Sequence, residues 1–154
     1  VTSKGAGLSV DYLLDKGFKI GGNYSYASHD VVLSGTEISL NDEDFAKVAK
    51  RFNTPKDRIN LTLSNNGFGK DNRLGFDLVW HYTNEYFYSG AFGQAIIPAY
   101  NWTDIAVFYK FPKINGTLKL GAANAFRQEY TPVYNGGSIG GLYTLTFRME
   151  GIKF

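Results

Sequence analysis

The chain has 154 residues, 16 of them basic and 14 acidic, for a formal net charge of +2. That length suffices for one domain, and the even balance, with no basic run, argues against a nucleic-acid partner. The absence of cysteine excludes a disulfide-stapled miniprotein, a thiolate metal site and a thiol nucleophile, while 16% aromatic residues and 18 glycines against 4 prolines point to a β-rich chain.

The opening, VTSKGAG, has neither an initiating Met nor a basic-then-apolar leader, so a mature product or a piece of a longer chain is expected. Residues 5–15 alternate, with Leu8, Val10, Tyr12 and Leu14 on one face and Ser9, Asp11 and Leu13 on the other. That period of two is the signature of a strand. Asp15-Lys16-Gly17 reads as a tight turn in which glycine takes the positive φ. Residues 18–27 return, setting Phe18, Ile20, Tyr24 and Tyr26 against Lys19, Asn23 and Ser25.

A long connection follows, and within it residues 41–52 carry a helical pattern. Asn41 can cap it, Asp42, Glu43 and Asp44 suit its start, and Lys47, Lys50 and Arg51 suit its end. Phe45, Val48 and Phe52 form one apolar stripe, so a short surface helix packed on a loop is expected.

Residues 57–65 form a third strand, with Ile59, Leu61 and Leu63 opposite Arg58, Asn60, Thr62 and Ser64. A Gly- and Asn-rich turn leads to residues 73–85, where Leu74, Phe76, Leu78, Trp80 and Tyr82 alternate with Arg73, Asp77, His81, Thr83 and Glu85. A strand of about 13 residues is long for a globular sheet and exceeds the roughly 9 to 11 that cross a bilayer at a tilt.

Residues 86–98 read as an aromatic, glycine-containing loop. Residues 101–111 are the next strand, with Ile105, Val107, Tyr109 and Phe111 opposite Asp104, Ala106, Lys110 and an anomalous Phe108. After a turn at 112–116, residues 117–126 set Leu118, Leu120 and Ala122 against Lys119, Gly121 and Ala123. The loop 127–138 precedes the closing strand from Ile139, with Tyr143, Leu145, Phe147 and Met149 opposite Leu142, Thr144, Thr146 and Arg148. Its parity fails at Glu150-Gly151, which predicts a bulge or the end of regular pairing there.

About seven strands emerge, joined alternately by short and long links. Short turns at one end and long loops at the other are the anatomy of an outer-membrane barrel. The expected fold is therefore all-β, an antiparallel transmembrane β-barrel segment with one short helix in an extracellular loop. An odd number of strands leaves edges that a bilayer does not tolerate, so the segment must pair with further strands.

Chemistry-bearing motifs are sparse. His29 and His81 are the only histidines, and the sequence holds no HExxH, GxGxxG or GxxxxGK[ST] pattern; its one GxSxG run, GGSIG at 136–140, leads into a strand and so forms no strand-to-helix nucleophile elbow. A non-enzymatic chain with no metal and no cofactor is expected. Asn23, Asn60, Asn101 and Asn115 each begin an N-x-[ST] triplet but fall in strands or tight turns, where chance is the better account. Tyr86, Phe87, Tyr88, Tyr100 and Trp102 gather around one loop. Most of them suit an interfacial aromatic girdle. Trp102, on the polar phase, is the best candidate for stacking on a ligand, with Tyr86 and Tyr88 beside it. Asp77, His81, Glu85, Asp104, Lys110, Lys119 and Arg148, with Asp11, Lys19 and Arg58, would line the lumen. Their mixed signs suit contact with a plug better than ion selectivity.

Several stretches resemble the C-terminal barrel of TonB-dependent outer-membrane receptors of the Bacteroidota type. They are FNTPKDRINLTL (residues 52–63), IPAY (97–100), TDIAVFYKFPKINGTLKLGAANAF (103–126) and IGGLYTLTF (139–147). The resemblance implies a barrel of roughly 22 strands with a plugged lumen, of which residues 1–154 would supply the last third without the plug. It implies a bacterial outer-membrane location and import of a nutrient such as a siderophore, vitamin, glycan or peptide. The implied partners are the lipid bilayer, the remaining barrel and plug, a TonB-type energy-coupling protein and a surface lipoprotein. Two other readings remain open at this point. One is a self-contained eight-stranded barrel, structural or adhesive, with a further strand near Val1 or in residues 28–39. The other is a soluble secreted glycan-binding β-sandwich.

Overall fold

A computed structural model describes residues 2–30, 53–91 and 93–151. The strands are β1 (Thr2–Leu13), β2 (Phe18–Asp30), β3 (Asp57–Phe68), β4 (Leu74–Thr83), β5 (Tyr86–Gly90), β6 (Gly93–Ile97), β7 (Tyr100–Phe111), β8 (Gly116–Ala123) and β9 (Leu142–Met149). Seven of them make one antiparallel sheet in the order β1-β2-β3-β4-β7-β8-β9, and β5 with β6 forms a separate hairpin. The fold is thus an all-β barrel segment of seven strands. The helix expected over 41–52 lies outside the described residues, as do Val1 and residues 31–39 of the stretches where the small-barrel reading puts an eighth strand.

The register carries the sequence pattern across the whole sheet. Tyr12 faces Ile20, Ile20 faces Leu63, Leu63 faces Leu78, and Leu78 faces Ile105. Ile105 then faces Ala122, which faces Tyr143. One face is therefore apolar from edge to edge, because a one-residue slip anywhere would turn a strand's apolar set to the other side. Nothing covers it. Leu8, Leu61, Leu74, Leu120 and Leu145 on this face are between 37% and 69% exposed. Ile97, in the small hairpin, is the one buried aliphatic side chain among the described residues other than Pro55. A β-sandwich buries such a face against a second sheet, and the described strands supply no second layer large enough to do so. Among the described residues β1 and β9 are edges that do not pair with each other, so these strands do not close a small barrel.

Aromatic side chains border the apolar face at both ends. Phe18 and Phe68 meet Phe76 edge-on, and Phe111 meets Tyr109 and Phe147, all toward the short turns. Trp80 stacks on Tyr82 at the long-loop end. Aliphatic residues fill the band between these two groups. At a rise of about 3.4 Å per residue, a ten-residue strand tilted near 45° spans about 24 Å, close to the apolar height of a membrane barrel.

The short turns are fixed by their own chemistry. Lys16 (φ 60°) and Gly17 (φ 77°) bend β1 into β2, and Asn115 (φ 45°) bends β7 into β8. Asn65 is fully buried and joins two of these turns. Its Nδ2 donates to the Lys16 carbonyl (2.9 Å) and its Oδ1 accepts from the Gly67 amide (2.7 Å). Phe108, anomalous on the polar face, covers Gly75: a Cβ there would stand 2.1 Å from the Phe108 ring. The glycine leaves the space that the phenylalanine fills.

Three boundaries differ from the sequence pattern. β4 has ten residues and stops at Thr83, releasing Asn84 and Glu85 into the link to β5. Residues 86–98 fold into the β5–β6 hairpin instead of a plain loop. β8 ends at Ala123, so Phe126 lies beyond it. The regular ladder of β9 ends at Met149 opposite Gly116. Beyond it, Glu150 donates its amide to the Asn115 carbonyl (3.0 Å) and Gly151 takes φ 72°, where the parity breaks.

Candidate functional site

On the polar face, near the long-loop end, β2, β3, β4 and β7 bring one row of side chains together. The register sets Asn23 opposite Asn60, Asn60 opposite His81, and His81 opposite Trp102. Asn60 Nδ2 donates to Asn23 Oδ1 (2.8 Å). His81 spans Asn60 Oδ1 (Nδ1, 2.6 Å) and Asp104 Oδ2 (Nε2, 3.1 Å). Both ring nitrogens thus sit within hydrogen-bond reach of a side-chain oxygen.

Above this polar row stands a wall of parallel rings. Trp102 stacks on His81 (centroids 4.5 Å apart), and Tyr130 stacks on Tyr100 (4.5 Å) and on Trp102 (5.2 Å). Tyr100 and Trp102 arrive on alternate positions of β7. Tyr130 arrives from the irregular segment between β8 and β9, placed there by Asn124. Asn124 is 2% exposed and sits at φ 48°, a backbone state that asparagine tolerates better than most residues. Its Nδ2 donates to the Gln128 carbonyl (2.8 Å), its Oδ1 accepts from the Gln128 amide (3.0 Å), and its own amide donates to Asp104 Oδ1 (2.8 Å). One carboxylate thus holds both His81 and the base of the loop that carries Tyr130. The Ile139 amide closes that loop on the Tyr130 carbonyl (2.8 Å).

The β5–β6 hairpin closes over the same region. The Tyr86 hydroxyl donates to the Pro132 carbonyl (2.6 Å). Asn53 grips β5 like a short strand, donating Nδ2 to the Ser89 carbonyl (2.9 Å) while its Oδ1 accepts the Ser89 amide (2.7 Å). Burial, reinforced by the neighbouring Tyr100, pushes the Tyr86 phenol up to about 12. Burial also raises Tyr130, with Tyr100 and Asp104 adding to it. Both phenols therefore remain neutral hydrogen-bond donors through the physiological range.

Of the residues singled out in the sequence, Trp102 and Tyr86 belong to this assembly. Tyr88 lies two residues along β5 on the hairpin, its hydroxyl folded toward Gly90. Tyr100, assigned by pattern to a girdle, stands on the polar face in the stack. Asp77, His81, Asp104, Lys110, Lys119 and Arg148 occupy the polar face of their strands. Lys19 pairs with Asp11 (3.0 Å), Lys119 with Asp77 (3.8 Å), and Arg148 with Glu150 (2.9 Å). Lys110 donates to the Asn66 carbonyl. Glu85 differs: it follows the end of β4, exposed, with its amide on Asn84 Oδ1 (2.8 Å). A groove of about 290 Å³ runs along this face between Asp77, Asp104 and Lys119, over the small residues Ala106, Gly121 and Ala123. No group of three metal-ligating side chains occurs among the described residues.

Alternation could find Trp102 and His81 because both lie within strands. Tyr130 and Asn124 had no such signal, since a loop residue's partners depend on a fold that the local pattern does not encode.

No protein-family model matches the chain, and no curated protein does. Among solved structures, the chain is similar to the crystal structure of the siderophore receptor PiuA from Acinetobacter baumannii, with a TM-score of 0.58 and 17% sequence identity over 93% of this chain. The chain spans 20% of that receptor's length. At this identity the likeness concerns the fold.

Proposed function

We propose that the chain is wall in the outer-membrane barrel of a TonB-dependent transporter that imports a scarce nutrient. Its part is non-enzymatic and needs no cofactor. The observation that carries this reading is the continuous apolar face, exposed across all seven strands and bordered by aromatics, opposite a polar face rich in hydrogen bonds. A sheet separating lipid from an aqueous lumen needs that division. The unpaired edges of β1 and β9 support a larger barrel, because uncapped backbone in hydrocarbon costs several kcal/mol per group. The fold likeness to a siderophore receptor supports the transporter family and makes a siderophore the first ligand to test. The Bacteroidota affiliation rests on the sequence motifs alone.

In this reading the long loops lie outside the cell and the ring stack faces the lumen below them. Trp102, Tyr100 and Tyr130 offer flat faces on which a ligand stacks after capture, with Tyr86 and Tyr88 contributed by the hairpin. The small-residue groove beside Asp77, Asp104 and Lys119 accepts the plug, which a TonB-type partner displaces; a surface lipoprotein would act above the loops. The test is membrane fractionation of the full-length protein, followed by uptake of a labelled ferric siderophore with and without the energy-coupling partner. Heat-modifiable migration from the outer membrane, with uptake that falls on Trp102→Ala, is expected. Recovery as a detergent-free soluble monomer would refute the membrane placement, and energy-independent uptake would refute the transporter class.

A further inference from the structure

The apolar face is not uniform. Between β7, β8 and β9 it sinks into a groove of about 410 Å³ lined by Ile105, Val107, Leu120, Ala122, Tyr143 and Leu145. The cause is Ala122, which the register places between Ile105 and Tyr143, so that a methyl group stands in a row of large side chains. At the long-loop end the Tyr143 hydroxyl donates to the Ala125 carbonyl (3.3 Å), which fixes the ring. The Arg127 guanidinium lies 5.9 Å from the centre of that ring. Arg127 is held at φ 55° with its amide on the Asn124 carbonyl (2.9 Å). Among the described residues it forms no ion pair.

We propose that this groove and Arg127 form a binding site for a phosphate-bearing anionic lipid of the loop-side leaflet, the acyl chain lying over Ala122 and the phosphate meeting Arg127. The proposal rests on the membrane placement above. An apolar groove alone would accept any chain. The cation is what selects: over the Tyr143 ring, the guanidinium has no carboxylate partner among the described residues and can turn its N–H fork to phosphate oxygens. The position suits it as well, since Tyr143 lies at the loop-side end of β9 opposite Ala122, and the border of an apolar band is where headgroups meet aromatic side chains.

The test uses the full-length receptor in detergent micelles, titrated with dioleoyl phosphatidic acid, dioleoyl phosphatidylcholine or inorganic phosphate, with bound species read by native mass spectrometry. Phosphatidic acid should bind about fivefold more tightly than phosphatidylcholine, the ratio that one basic side chain contributes beside an anionic lipid. Arg127→Gln should abolish the preference. Ala122→Phe should weaken both lipids, with heat-modifiable migration unchanged in both variants. Equal binding of the two lipids by the wild type, or a preference retained in Arg127→Gln, would overturn the proposal. So would displacement of phosphatidic acid by inorganic phosphate, which would mark a free-phosphate site. A receptor that is soluble without detergent would instead overturn the membrane placement.

Discussion

Leu120→Arg separates a lipid-facing sheet from a water-facing one. Leu120 lies on β8 between two aromatic markers: Leu118 pairs with Phe147 toward the short turns, and Ala122 pairs with Tyr143 toward the loops. It is therefore near mid-depth, and it is 58% exposed. If that exposure is to water, an arginine there is a surface substitution and changes stability by no more than about 0.5 kcal/mol. If it is to hydrocarbon, the same substitution costs about 2–4 kcal/mol, the mid-bilayer value for a basic residue on the lipid face of a barrel. The control is Thr144→Lys, which lies opposite Gly121 on the polar face and is also exposed; it should stay within about 0.5 kcal/mol. Guanidinium unfolding of the full-length barrel refolded into lipid vesicles measures both. Leu120→Arg and Thr144→Lys within error of the wild type would refute the assignment of the apolar face to lipid. A loss confined to Thr144→Lys would mean the faces are reversed.

Three further outcomes follow from the packing and the titrating groups. In Gly75→Ala the new Cβ would stand 2.1 Å from the Phe108 ring and 2.7 Å from the Asn65 carbonyl oxygen. A loss of about 1–3 kcal/mol is expected, and Phe108→Ala in the same chain should restore only part, because the backbone contact remains. Asn124→Ala removes both partners of Gln128, so hydrogen exchange at the Gln128 and Ile139 amides should quicken by roughly tenfold to a hundredfold while β8 is unchanged; equal exchange would deny Asn124 its anchoring role. Tyr86 has a folded pKa of about 12 against an ordinary 10.0. Its contribution to stability is therefore fully present below pH 10 and is lost as the pH rises toward 12. The tyrosinate absorbance missing in Tyr86→Phe should titrate with a midpoint near 12, and a midpoint near 10 would contradict the burial.

The seven sheet strands were legible because each carries its own label: an apolar set at every second residue, ended by Gly, Asn or Pro. The two faces were legible for the same reason, and Phe108 could be marked as anomalous from parity alone. Its explanation could not, since Gly75 is a neighbour only once β4 and β7 are in register. The β5–β6 hairpin was hidden because YFYSG and GQAII show little polar alternation, and a short pair held by Asn53 and Pro132 owes its form to other segments. The hubs Asn65 and Asn124 read as ordinary turn asparagines; what distinguishes them is burial, which arises from the meeting of two turns in one case and of a loop with Asp104 in the other.

Trp80 and His81 are adjacent in sequence, yet they belong to opposite faces of the sheet. Trp80 stacks on Tyr82 on the apolar face, with ring centroids 6.0 Å apart. His81, one peptide further, points the other way into hydrogen bonds with Asn60 and Asp104 and carries Trp102 on its ring. The same residue type therefore does two jobs. In the proposed barrel wall, a tryptophan on one face would mark the border between hydrocarbon and headgroups, and a tryptophan on the other would offer a flat surface to the lumen. Aromatic content alone cannot separate these roles, because both raise it equally. The strand period separates them at once, and the sheet register then gathers each set into a continuous surface. Arg127 and Asn124 extend that division past the end of β8: Asn124 turns inward to hold the ring stack, while Arg127, three residues on, turns outward over Tyr143.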